Sequence, residues 1–185
     1  MSMRNVFAGA IAASFCAIVH AGERYELGHT ATDAEIRAWD IDVRADGTGL
    51  PPGRGTVPSG RLVFAQKCAA CHGDRGQGGP MDKLTGGGNT LTAASPVKTI
   101  GSFWPYASTL FDYVRRAMPF NAPQSLSSEE TYSVVAYVLH LNGILPVDAT
   151  LDASTLPRVQ MPNRDGFTED PRPDVAIKPC QSDCR

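Results

Sequence analysis

The chain has 185 residues, which fits one domain with extensions. Its 17 lysines and arginines nearly balance 19 acidic residues, for a formal charge of −2. That balance argues against nucleic acid or an anionic membrane surface as a partner.

The N-terminus carries an export pattern. Arg4 gives a small positive start, an apolar run extends from Val6 to Val19, and Val19-His20-Ala21 fits a small-x-small cleavage site. Cleavage is expected after Ala21, so residues 1–21 read as a signal peptide and the product as periplasmic. The apolar run has about 14 residues against the ~20 that span a bilayer, so stable membrane insertion is not expected. Cys16 is preceded by Phe15, where a lipoprotein signal needs a small residue.

Residues 22–58 read as an arm. Thr32-x-x-Glu35 is a capping box that opens a short helix, on which Ile36 and Trp39 share a face. Trp39 is expected to anchor the arm. Asp46-Gly47 and Gly49-Leu50-Pro51-Pro52-Gly53 then force turns.

Residues 59–145 read as the functional domain. Ser59 is expected to cap a helix carrying Leu62, Phe64, Ala65 and Ala69. That helix leads into Cys68-Ala69-Ala70-Cys71-His72. Two cysteines three apart, followed at once by histidine, form the attachment signal for c-type haem. Cys68 and Cys71 would add their thiols across the two porphyrin vinyl groups, and His72 would supply an imidazole nitrogen to the iron. A zinc site would need four nitrogen or sulfur ligands, and a redox dithiol would need a βαβ context. Neither is evident here, because the next cysteines are Cys180 and Cys184.

The loop from Gly73 to Pro80 is too glycine-rich for a helix. The Pro80 carbonyl at its end is the expected acceptor for the second N–H of His72. A second helix is expected from Thr109 to Ala117, with Pro119 stopping it. A third begins at the capping box Ser127-x-x-Glu130. Tyr132, Val135, Ala136 and Leu139 follow helical spacing, while Val134, Tyr137, Val138 and Leu141 cover another face. Such a helix should be buried on two sides, with Asn142-Gly143 ending it.

The sixth iron position decides whether such a haem carries electrons or reacts with ligands. Met81 follows His72 too closely to reach the far face easily, and Met161 lies in the proline-rich tail. Met118, 46 residues beyond His72 and fixed by Pro119, leaves enough chain to wrap the ring. His29 and His140 are rivals, the first in the arm and the second near a helix end. Met118 is therefore the expected sixth ligand, a soft neutral thioether that raises the potential. From Pro146 to Arg185 there are six prolines and no clear period, which reads as an extended, surface-bound tail. Cys180 and Cys184 could close a small disulfide there.

Residues 59–145 resemble a class I cytochrome c. Gly60 and Phe64 stand eight and four residues before Cys68, and Ala136-Tyr137-Val138-Leu139 resembles that family's last helix. The resemblance implies an all-α fold of three main helices around one haem. Gly60 would let the first and last helices cross closely, with Phe64 and Tyr137 beside the crossing. Pro80 and Met118-Pro119 match positions that accept the histidine N–H and supply the sixth ligand.

A narrower resemblance is to the SoxD-type cytochrome subunits of sulfur-oxidising systems. It is carried by the stretch from Gly101 to Leu126, by Ala38-Trp-Asp-Ile-Asp-Val43, by Gly49-Leu-Pro-Pro-Gly53 and by Met161-Pro-Asn-Arg-Asp-Gly-Phe167. The best-known SoxD proteins carry two haem domains, whereas this sequence has one haem motif. The resemblance implies an electron-transfer subunit, not itself an enzyme. It would accept electrons from a molybdenum-containing sulfite or sulfane-sulfur dehydrogenase and pass them to a downstream cytochrome or oxidase. It also suggests that Trp104 and Tyr106 line the haem or bind a propionate, although ordinary core aromatics read the same way. Arg115 or Arg116 could neutralise a propionate or meet an acidic partner, or simply form a solvated face. The alternatives to this reading are a haem enzyme with an exchangeable sixth ligand, such as a thiosulfate dehydrogenase, and an electron carrier serving another periplasmic dehydrogenase.

Overall fold

A computed structural model describes residues 27–172. The expected signal peptide and the Cys180–Cys184 pair lie outside the described residues. The chain divides into two compact units, with the boundary between Asp40 and Ile41.

In the first unit, helix α1 spans Asp33–Trp39. The capping box is present: Thr32 Oγ1 accepts the Glu35 N–H at 3.3 Å, and the Glu35 carboxylate accepts the Thr32 N–H at 2.8 Å. Trp39, expected to be a buried anchor, is 88% exposed, and Ile36 is 50% exposed.

The second unit begins with β1 (Arg54–Thr56), which runs directly into α2 (Val57–Lys67). Thr56 caps α2, accepting the Ser59 N–H at 3.2 Å, with Pro58 in the first turn. Ser59, the expected cap, is therefore the donor inside the first turn. A one-turn helix, α3 (Ala69–His72), follows. Helix α4 spans Ala107–Ala117 and starts before Thr109, with no side-chain cap. Asp112, three residues after Thr109, serves the core instead of the helix start. It is buried, accepts the Val43 N–H at 2.9 Å and pairs with Arg116 one turn on.

Helix α5 (Ser128–Leu141) opens at the expected box, where Ser127 Oγ accepts the Glu130 N–H at 3.1 Å. Eight of its residues are buried, including Tyr132, Val135, Ala136 and Leu139. It ends at Asn142, with Gly143 left-handed at φ 70°. α2 and α5 cross at Gly60. A Cβ added there would lie 1.8 Å from the Ser133 carbonyl oxygen, so only glycine permits the contact. Phe64 and Tyr137 meet edge-to-face beside it, with centroids 5.4 Å apart. This is the crossing implied by the family resemblance.

The expected surface tail is docked over residues 149–161, while residues 165–172 are exposed. Residues Thr150–Asp152 form β2, antiparallel to β1, with Gly55 opposite Leu151. A 3₁₀ turn at Leu156–Arg158 follows. Leu151, Leu156, Val159 and Met161 are all buried and join Phe64, Phe111, Tyr132 and Leu139 in one core. Alternating buried residues and a buried 3₁₀ leucine drive this docking, a pattern too short to register as periodicity. The architecture remains a helical cytochrome-type fold with one two-stranded ribbon. Among the described residues no helix is long and apolar enough to cross a membrane.

Candidate functional site

The site is built on the turn that follows α2. The Cys68 N–H donates to the Phe64 carbonyl as α2 ends, and the His72 N–H donates to the Cys68 carbonyl at 3.0 Å. One helical turn thus carries Cys68, Cys71 and His72. Neither Cys68 nor Cys71 is in a disulfide. Cys68 packs against the core, and before any haem is attached burial, partly offset by Lys67, pushes its thiol up to about 11. Cys71 is exposed and His72 half-buried.

The glycine loop folds back on this turn. The Gly78 N–H donates to the His72 carbonyl at 2.8 Å and the Met81 N–H to the Cys71 carbonyl at 3.0 Å. These bonds bring the Asp82 carbonyl within 2.8 Å of His72 Nδ1. The acceptor is therefore Asp82, not the expected Pro80, which is exposed two residues earlier. The backbone bond at Met81 sets this register, and no side-chain signal in the sequence marks it. With Nδ1–H donating to a carbonyl, Nε2 is the nitrogen left to bind a metal.

Met118 is the C-cap residue of α4, half-buried, with its N–H on the Val114 carbonyl at 3.1 Å. The Met118–Pro119 peptide is cis. Trp104 packs against the core and meets Tyr113 of α4 edge-on, with centroids 5.8 Å apart. Tyr106 is the N-cap residue of α4, and its ring lies under the Arg164 guanidinium at 4.7 Å. Arg115 donates to the Ile41 carbonyl at 3.4 Å, a contact to the segment leading into the core. Arg116 is the residue that pairs with Asp112. Of the rival ligands, His29 lies 3.0 Å from Glu35, His140 Nδ1 is bonded to the Leu145 carbonyl, and Met161 is buried in the core.

The donor set fits haem c. Two unpaired thiols sit three residues apart on one turn, and the adjacent imidazole is held in a metal-binding tautomer. It does not fit zinc, since among the described residues no group of three or more His, Cys, Asp or Glu side chains is arranged to hold a metal ion.

Comparison with known proteins points the same way. The Cytochrome c family pattern matches residues 57–142, a span that holds α2, the Cys-Ala-Ala-Cys-His turn, α4 and α5. A chain in the crystal structure of the sulfane dehydrogenase SoxCD from Paracoccus pantotrophus is 44% identical, with a TM-score of 0.76. The match covers 88% of this chain and 83% of that one. Thiosulfate dehydrogenase from Stutzerimonas stutzeri (strain A1501) is 29% identical over 90 residues, which is 48% of this chain. The thiosulfate dehydrogenase from Psychrobacter arcticus (strain DSM 17307 / VKM B-2377 / 273-4) is 31% identical over 85 residues, or 45% of this chain. The matched stretches span only 28% and 25% of those two proteins. With haem c as its covalently bound cofactor, the chain belongs to the cytochrome c family.

Proposed function

We propose that this chain is a periplasmic monohaem electron-transfer subunit, working beside a molybdenum dehydrogenase that oxidises sulfite or sulfane sulfur. The observation that carries this reading is the 44% identity to a chain of the sulfane dehydrogenase SoxCD, extending over 88% of the sequence. A likeness of that length extends beyond the haem domain.

When bound, the haem supplies one-electron exchange between Fe(III) and Fe(II). The chain's residues hold and tune it. Cys68 and Cys71 would fix the porphyrin to the backbone, so that the carrier keeps its redox centre as it changes partners. His72 would bind the iron through Nε2, with the Asp82 carbonyl orienting its ring. Met118 would supply a thioether ligand to the iron. Trp104, Tyr106 and Arg115 stand as further cofactor-facing candidates. The catalytic step belongs to the partner, and a downstream cytochrome or oxidase takes the electrons on.

The test is reconstitution. The oxidised chain is mixed with a purified molybdenum sulfane dehydrogenase subunit and its sulfur substrate, and haem reduction is followed optically. Reduction that needs both subunit and substrate supports the reading. No reduction in the complete mixture sinks it.

A second reading, a haem enzyme with an exchangeable sixth ligand, draws on the partial matches to thiosulfate dehydrogenases. Rapid carbon monoxide binding by the reduced chain at neutral pH would favour it.

A further inference from the structure

We propose that Asn163 and Arg164 are positioning residues for the Met118 side of the haem site, acting through the turn Phe103–Tyr106. The inference rests on the reading of Met118 as iron ligand and deepens it.

The strap is rooted at Met161, which is 3% exposed in the core. From there the chain turns, with the Arg164 N–H on the Met161 carbonyl at 3.1 Å and the Gly166 N–H on the Asn163 carbonyl at 3.2 Å. Three contacts then reach one short stretch. Asn163 Nδ2 donates to the Phe103 carbonyl at 2.7 Å. The Arg164 guanidinium covers the Tyr106 ring at 4.7 Å. Phe167 meets Phe103 edge-on at 5.2 Å. A hydrogen bond, a cation over a ring and an aromatic pair thus converge on Phe103 and Tyr106, the two ends of a four-residue stretch.

Those four residues frame α4. Tyr106 is its N-cap residue, and Trp104 leans edge-on against Tyr113 of the same helix. Met118 is its C-cap residue, hydrogen-bonded to Val114, the residue after Tyr113. Trp104 and Tyr106 therefore set where α4 lies, and α4 delivers Met118. A thioether–iron bond is weak and tolerates little displacement, so a support outside the ligand sphere can tune it. If the strap only tethers the tail, its loss lowers stability and leaves the haem untouched.

The test uses the holoprotein with Asn163→Ala, Arg164→Gln and Arg164→Lys, and Met118→Ala as control. Midpoint potential, the red-end sulfur-to-iron band and amide hydrogen exchange are measured. Asn163→Ala and Arg164→Gln are expected to lower the potential and weaken the band. Exchange at Phe103–Tyr106 should be roughly fivefold faster or more. Arg164→Lys, which keeps a cation over the ring, should restore both haem signals. If Met118→Ala loses the band while Asn163→Ala and Arg164→Gln keep native potential and band, this inference alone is wrong. If Met118→Ala keeps the band, the ligand reading fails and takes the inference with it.

Discussion

Met118 and His72 carry the redox properties proposed here, and they were not equally legible. The pair Cys68–Cys71 with His72 is a contiguous signature, so the sequence alone assigns its chemistry. Met118 was reached by elimination among three methionines outside the signal region and by chain length. In the structure Met161 is buried in the core and Met118 is half-buried at the end of α4. The Fe–thioether bond predicts that Met118→Ala loses the red-end absorption band and falls in midpoint potential, as measured by optical redox titration. Unchanged values would assign the sixth position elsewhere. The acceptor for His72 shows where residue-level reading stops. Pro80 and Asp82 lie two positions apart, and only the backbone bond from Met81 to Cys71 decides which carbonyl reaches the ring.

At the scale of elements, capping chemistry was readable where it is local. The boxes at Thr32 and Ser127 were explicit in the sequence. The start of α2 was not, because Thr56 and Ser59 are both good caps three residues apart. Pro58, favoured in a first turn, tips the choice to Thr56. The α2–α5 crossing gives a sharp expectation. Gly60→Ala places a methyl group against the Ser133 carbonyl and should cost about 1–3 kcal/mol in thermal or urea unfolding. α5 is also tied to the segment before β1, because Tyr132 Oη donates to the Pro51 carbonyl at 2.9 Å. Burial above all, with the charge of Asp152 adding to it, pushes this phenol up to about 12 from 10.0. A raised folded value means the contribution is complete below pH 10 and lost as pH climbs through about 12. Tyr132→Phe should therefore cost about 1–2 kcal/mol at neutral pH and flatten the fall in stability on that alkaline limb.

For the whole molecule, the missed feature was the docking of the segment after Pro146. Its β2 strand has three residues, and its pairing with β1 joins positions almost a hundred residues apart. No local pattern encodes such a contact. Leu151 and Leu156 can be read as core only once their partners are known. Leu156→Ala should thus destabilise the entire fold by about 2–5 kcal/mol, with one cooperative transition. Loss confined to the final segment would show that it is an appendage. Asp152, in the same ribbon, is held at about 2 by hydrogen bonds from Ser154 and Thr155. Its folded value is depressed, so its contribution is present above pH 3.8 and fades as pH falls through about 2. Asp152→Asn should therefore lessen acid sensitivity in that window, as read by unfolding at stepped pH.

Covalent attachment of one haem at Cys68 and Cys71 underlies all of this. The most direct measurement is acid–acetone extraction of the purified holoprotein, followed by visible spectra of both phases. The haem should stay with the polypeptide, and should pass into the solvent when both cysteines are replaced by alanine. Haem leaving the unaltered chain, or a colourless chain at the outset, would contradict the assignment.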